Sequence, residues 1–362
     1  MFERFVRSRT AIITIAALSV PGSVFHIGRA MAADSAASTV GHVESLDPAL
    51  DKLVPPSANM EVIADGFAWC EGPVWVPRIS PPHQRNAAGD GFLLFSDIPN
   101  NSIMRWDAQS GCRLFLKPSG YTGAQPRGGE SGSNGLVLDR NGRLILCQHG
   151  DRRVARLDSS HDNPQPKFVT LADRYDGKRL NSPNDAVVDS HGAIYFTDPP
   201  YGLEKGVDDP KKELAFYGVY RIAPNGKLQL LTSDLERPNG IALSPDEKTL
   251  YISNSDDRRP VIMAYQLKKD GTLGEGRVFF NARNLAGKPG ACDGMTVDAH
   301  GNLFATIPGG VGIFTPDGKQ LGLLATGDRT ANCEFGEDGS MLFIAANHRI
   351  LRIRTTTKGI GF

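Results

Sequence analysis

Apolar residues along this chain come in short runs separated by polar turns. FLLFSD (92–97), LILCQ (144–148), IYFTD (194–198), LYISN (250–254) and LFATI (303–307) are rich in aliphatic, β-branched and aromatic residues. All but the first follow a compact polar turn: RNGR, SHG, PDEKT or AHGN. Runs of this length bounded by Gly, Pro, Asn and Asp predict β-strands rather than helices. Upstream of each run stands a second recurring segment: EGPVW (71–75), NGLVLD (134–139), NDAVVD (184–189), NGIALS (239–244) and DGMTVD (293–298). A fainter copy, NCEFGEDGSMLFIAA (332–346), puts Ala331 in the equivalent place and Asn332 one residue later.

These segments recur about every 50 residues, which is the size of a four-stranded propeller blade. Each copy predicts a hairpin, and further strand-like runs follow, such as RVARLD (153–158) with KFVTLA (167–172) and GVYRIA (218–223) with LQLLTS (228–233). The expected fold is all-β: a six-bladed β-propeller with four-stranded antiparallel blades. EVIADGF (61–67) precedes the first copy without a hairpin of its own. It is expected to supply the outer strand of the last blade, beside HRILRIRTTT (348–357), closing the ring through the two chain ends.

In a propeller the first strand of each blade lines the central channel, so equivalent repeat positions form a ring. Those positions hold Glu71, Asn134, Asn184, Asn239 and Asp293, all with side-chain oxygens. Turn chemistry would explain one or two such residues, but not a Glu beside Pro73 or acids at only two of the five. Two carboxylates with two or three amide oxygens suit a hard cation such as Ca²⁺, which takes 6–8 oxygens. The ring carries no His or Cys, which argues against a zinc-type site. Antiparallel pairing returns the end of the second strand to the mouth where the first begins, so Asp97, His149, Asp198 and Asn254 are expected near it. Two insertions rise there as candidate lids or pocket walls, 119–133 and 199–218, the latter carrying Tyr201. Nucleophile-elbow, Walker, HExxH and EF-hand patterns are absent.

Composition adds limits. The 40 Lys+Arg balance 40 Asp+Glu, which gives no electrostatic reason to expect a nucleic-acid or anionic-membrane partner. Arg4, Arg7 and Arg9 precede the apolar stretch TAIITIAALSV (10–20), too short for an ordinary membrane span, and Ala30-Met31-Ala32 offers a peptidase site. The reading is a signal peptide over 1–32, cleaved after Ala32, a polar lead over 33–58 and the propeller over 59–362. Export would place the protein in the periplasm or outside the cell, with no membrane insertion after cleavage. Five cysteines with no paired spacing predict small buried residues rather than a disulfide framework.

From about Glu61 to the C-terminus the chain resembles the gluconolactonase family, six-bladed lactonases that include the animal protein regucalcin. The strings that carry the likeness are EGPVW, FLLFSD, FLKPSG (115–120), SPND with YFTDPPYGL (182–203), RPNGIALSPDEKTLYISNSD (237–256) and DGMTVDAHGNLFA (293–305). The resemblance implies a calcium-dependent hydrolase of sugar lactones, with another divalent cation as the alternative. Carried over by position, it puts the metal on Glu71, Asn184, Asn239 and Asp293, and the acid/base role on Asp293. Asn134 stands about where the related paraoxonases place a catalytic His and is expected to touch substrate, as are His149, Asp198 and Tyr201. His149 and His348 are rivals for proton transfer. Where the animal branch has a substrate-contacting Arg, two residues before Asn184, this chain has Ser182. The competing functions are hydrolysis of other lactones or esters, such as acyl-homoserine lactones, and a non-catalytic calcium-stabilised binding propeller.

Overall fold

The computed structural model describes residues 38–78 and 90–362. The proposed leader, 1–32, lies outside these residues. Each recurring segment opens, or immediately precedes, the innermost strand of a sheet: Cys70–Pro77, Ser133–Leu138, Ala186–Val188, Pro238–Leu243, Met295–Val297 and Thr330–Gly336. Three further antiparallel strands extend outward from each, so the six expected blades are present.

Burial on both faces explains why the second strands read as unbroken apolar runs. Side chains alternate between the faces of a strand, and each blade face packs on a different neighbour. Phe92 and Leu94 join Leu136, Leu144 and Leu146 of the next blade, while Leu93 and Phe95 join Phe343 and Ile350 of the last. Ile145 turns the other way, onto Phe196 and Tyr220. Six such clusters, each shared by two adjacent blades, run around the ring. Burying one Leu or Phe in them contributes about 1.5–3 kcal/mol.

The chain ends close the ring as expected. Met60–Asp65 pairs antiparallel with Arg349–Arg354, Arg349 opposite Asp65 and Arg352 opposite Glu61. Across the same seam Trp75 stacks on Phe343 with ring centroids 5.6 Å apart. The segment 33–58, taken as a polar lead, contributes to the blades from residue 39 onward. Thr39–Val40 pairs with Met60–Asp65, His42–Ser45 forms a fifth strand beside Gln320–Ala325, and Leu50, Leu53 and Val54 are buried against Val311 and Leu342. Its apolar residues are too few to register in a mostly polar stretch, yet they lie where two blades meet. The five cysteines are free, and all but Cys112 are buried. Among the described residues no helix is long and apolar enough to cross a membrane.

Candidate active site in the central channel

Three of the five anchors, Glu71, Asn134 and Asn239, lie where their inner strands bulge, as does the sixth repeat, whereas Asn184 and Asp293 precede regular strands. Register slips between Glu71 and Val74, Ser133 and Leu136, Pro238 and Ile241, and Thr330 and Asn332. A bulge bends its strand and re-aims the side chains beside it. The Gly that follows four of the five anchors has a steric cause. A Cβ on Gly240 would lie 2.2 Å from the Asp293 carbonyl oxygen, and one on Gly72 would lie 2.3 Å from that of Asn134. Hydroxyls on second strands then tie each blade to the next: Ser96 Oγ donates to the Asn134 carbonyl at 2.8 Å and Thr197 Oγ1 to that of Asn239 at 2.6 Å.

All five anchors, with Tyr201, line one cavity of about 610 Å³. Two amides have their NH₂ groups held on the protein side. Asn239 Nδ2 donates to Ser255 Oγ at 2.9 Å, and Ser255 Oγ donates in turn to the Cys292 carbonyl at 2.7 Å. Asn184 Nδ2 lies 3.5 Å from His149 Nε2, which leaves its Oδ1 free of that contact. Buried Oδ1 atoms of Asn134 and Asp293 accept no hydrogen bond from the described residues. Glu71 Oε2 accepts from its neighbour Gly72 N at 2.9 Å and from Asn332 Nδ2 at 3.2 Å, so the sixth repeat braces Glu71 rather than supplying a further anchor.

Burial raises the pKa of Glu71 to about 8, with the Asp185 carboxylate adding to the rise and hydrogen bonds from Gly72 and Asn332 opposing it. Asp293 is pushed well above the usual carboxylate range by burial, then by the charges of Glu71, Asp185 and Glu130. Acceptor oxygens without donors, gathered around two mutually repelling acids, fit a bound hard cation. Among the described residues no three His, Cys, Asp or Glu side chains form a metal cluster. Any cation here would need the amide oxygens as well as the acids, and the residues that could hold it are Glu71, Asn184, Asn239 and Asp293.

The residues at the ends of second strands mostly have another task. Asp198 is fully buried, its Oδ1 accepting from Ser182 N at 2.7 Å and its Oδ2 from Asn181 N at 2.8 Å, so both oxygens hold the loop before Asn184. Asp97 accepts from Ala68 N and Trp69 N, and Asn254 Oδ1 from Arg237 N, in the same way. Asp198, proposed to touch substrate, is therefore a loop clasp outside the cavity lining. His149, also proposed for substrate, is fully buried behind Asn184, with Nδ1 3.0 Å from Glu130 Oε2. His348 pairs with Asp65 and Asp328, away from the cavity lining. Ser182 does not replace the missing Arg: its Oγ accepts from Gly202 N at 2.9 Å and donates to the Pro199 carbonyl.

The cavity wall holds residues the repeat did not single out, chiefly Trp69, Glu130, Arg237, Lys288 and Arg329. Trp69, Arg237 and Arg329 each stand two residues before a repeat position, so the register could have found them. Glu130 and Lys288 lie further from their anchors, in the long connections between successive blades. Both expected insertions reach the site. Asn101 Oδ1 accepts from the backbone N of Ser119, Gly120 and Tyr121, fixing the first at its base, and buried Arg127 crosses to the second, donating to the Gly202 carbonyl and pairing with Glu204.

Fold and cavity together define a six-bladed propeller with an oxygen-ringed, charged pocket at one mouth of its channel. The chain belongs to the SMP-30/gluconolactonase/LRE-like family, whose model matches residues 69–348. It is 40% identical to the gluconolactonase of Zymomonas mobilis over 99% of both chains. A gluconolactonase of solved structure from Xanthomonas campestris is 31% identical, with a TM-score of 0.71 over 88% of this chain and 97% of that one. The calcium-binding protein regucalcin from Agrobacterium tumefaciens shares the fold at 19% identity, with a TM-score of 0.59 over 82% of this chain and 94% of that one.

Proposed function

We propose that the chain hydrolyses a sugar lactone of the glucono-1,5-lactone type to its aldonic acid, with a calcium ion held by Glu71, Asn184, Asn239 and Asp293. That it is a lactone hydrolase, a carboxylic ester hydrolase, rests on the family and on the full-length gluconolactonase relative. The observation that carries the metal is the ring itself: carboxylates and amide oxygens, two of them buried and without donors, in one cavity. A bound cation would supply Lewis acidity toward the lactone carbonyl.

The protein's own groups do the rest. Asp293 takes a proton from the attacking water and returns it to the ring oxygen as the ester C–O bond breaks. Such a positioned base contributes about 10²–10⁴-fold. Burial favours a proton on Asp293 while a cation opposes it, and between these the group can both accept and release. Asn134 and Tyr201 present polar atoms to substrate hydroxyls. Charged walls (Glu130, Arg237, Lys288, Arg329) favour a hydroxylated lactone over an acyl-homoserine lactone, whose chain would force their desolvation.

A panel of glucono-1,5-lactone, other aldonolactones, an acyl-homoserine lactone and an aryl ester, assayed after exhaustive EGTA treatment and after Ca²⁺ return, tests this reading. Sugar-lactone turnover lost with EGTA and restored by Ca²⁺ is expected. Turnover that survives the chelator removes the metal from the reaction, and hydrolysis of none of the panel removes the lactonase. Residues 1–32 are proposed as a signal peptide that sends the protein to the periplasm or beyond. N-terminal sequencing of exported protein from the native host should begin at Ala33, and a retained Met1 would refute it.

A further inference from the structure

A second cavity, of about 780 Å³, adjoins the first. Arg237 and Asp257 border both, so the two spaces share a wall rather than standing apart. One insertion also builds both, giving Tyr201 to the inner cavity and Val207, Phe216 and Tyr217 to the outer. Both volumes fall within the roughly 300–1,000 Å³ of small-molecule sites.

The outer walls combine aromatic surface with carboxylates and a guanidinium. Tyr217 is half-buried, with Lys212 Nζ 4.9 Å over its ring. Asp234 and Glu236 stand exposed at the wall. At the junction Arg237 Nε is 3.7 Å from Asp256, but both oxygens of Asp256 are already taken by Arg258, at 2.9 Å and 3.1 Å. That leaves the Arg237 fork able to donate between the cavities. Carboxylates accept from hydroxyls, guanidinium donates to them, and an aromatic face packs on the C–H surface of a pyranose. An alkyl chain would strand these acids without water.

We propose that the outer cavity is a second sugar subsite, taking the glycosyl unit of an aldobionic lactone, a disaccharide oxidised at its reducing end, while the lactone ring occupies the central cavity. This rests on the lactonase reading and extends it from monosaccharide to disaccharide lactones. The reaction is unchanged: water adds to the lactone carbonyl, the ring C–O bond breaks, and the glycosidic bond stays intact.

The test compares glucono-1,5-lactone with cellobiono-1,5-lactone on the Ca²⁺-loaded protein and on Tyr217→Ala and Asp234→Ala. The parent protein should hydrolyse the disaccharide lactone with kcat/KM at least equal to that for the monosaccharide. Tyr217→Ala should lower the disaccharide value by about fivefold to tenfold, through KM, and leave the monosaccharide value unchanged. Asp234→Ala, at an exposed position, should act in the same direction. Equal losses on both substrates, or exclusion of the disaccharide lactone, would overturn the subsite. If neither lactone is hydrolysed the lactonase reading fails, and the outer cavity is then read by binding alone: cellobionate tighter than gluconate in the parent and not in Tyr217→Ala supports it, and equal binding overturns it.

Discussion

In the proposed calcium site, Glu71 couples metal, proton and fold. Its carboxyl has a pKa of 4.5 in an unfolded chain and about 8 in the folded one, because burial disfavours its charge. As pH rises from 4.5 toward 8 the unfolded chain releases a proton that the metal-free fold retains, so this group makes the metal-free fold less stable with rising pH. A cation binds the ionised form and stabilises the fold by mass action. The rise in thermal midpoint on adding Ca²⁺ should therefore grow between pH 4.5 and about 8. A pH-independent rise would mean Glu71 is not a ligand. His149 acts one layer back: with Nδ1 beside Glu130 and Nε2 beside the Asn184 amide, it positions that amide. His149→Ala should weaken Ca²⁺ affinity by about 10–100-fold, as loss of a supporting group does. With Ca²⁺ saturating it should keep most of its turnover, whereas Asp293→Asn should lose about 10²–10⁴-fold in kcat. The reverse order would make His149 the proton-transfer group. The five anchors were legible because the repeat fixes their register. Asp198 and His149 were misplaced because the repeat tells where a residue stands along a strand, not whether its polar atoms are already taken by a loop.

At the scale of the strand, the same turn-like sequence serves packing. Asn-Gly and Asp-Gly read as loop chemistry, yet Gly240 is held within 2.2 Å of Asp293's carbonyl by the convergence of inner strands, measured from where its Cβ would lie. The repeated strands were readable because each apolar run serves two inter-blade cores, and that double burial erases polar interruptions. The bulges were not readable, since a register slip leaves no residue-type signature beyond the Gly it needs. Gly240→Ala must push two inner strands apart next to Asn239 and Asp293. It should cost about 1–3 kcal/mol or more of stability and weaken Ca²⁺ binding. Gly128→Ala is the control, since nothing lies within 4 Å of its added Cβ. Paired thermal melts and Ca²⁺ titrations of the two variants read the difference. Equal behaviour would mean the inner strands can separate freely, and the ring geometry would lose its steric cause.

On the scale of the whole molecule, neutrality and closure are linked. Equal numbers of acids and bases conceal a channel where carboxylates converge: besides Glu71 and Asp293, buried Asp185 and half-buried Glu334 are each raised to about 7 by desolvation. A fold that confines acids in this way depends on a ring that does not open, and the ring has a seam. Met60–Asp65 covers the edge of Arg349–Arg354, which would otherwise present unpaired backbone groups to other chains. The segment before it adds a second layer, with Leu50, in a short 3-10 helix over Pro48–Lys52, and Val54 each 1% exposed in the core shared with Val311 and Leu342. The sequence placed the propeller's start at 59, since only the strand pairing with 348–357 was demanded by the repeat count. Three chains test what closure requires. One beginning at residue 38 keeps all of these contacts and should match the full-length chain. One beginning at 59 keeps the seam but loses Leu50, Leu53 and Val54; it should fold with a lower thermal midpoint, since truncating one such Leu to Ala already costs about 2–5 kcal/mol. One beginning at 68 leaves Arg349–Arg354 as an open edge and should aggregate on size exclusion and lose the Ca²⁺-dependent rise in midpoint. If that last chain stays monomeric and responds to Ca²⁺, the ring is held by its inner strands and inter-blade cores alone, and the pairing of the chain ends is dispensable to the site.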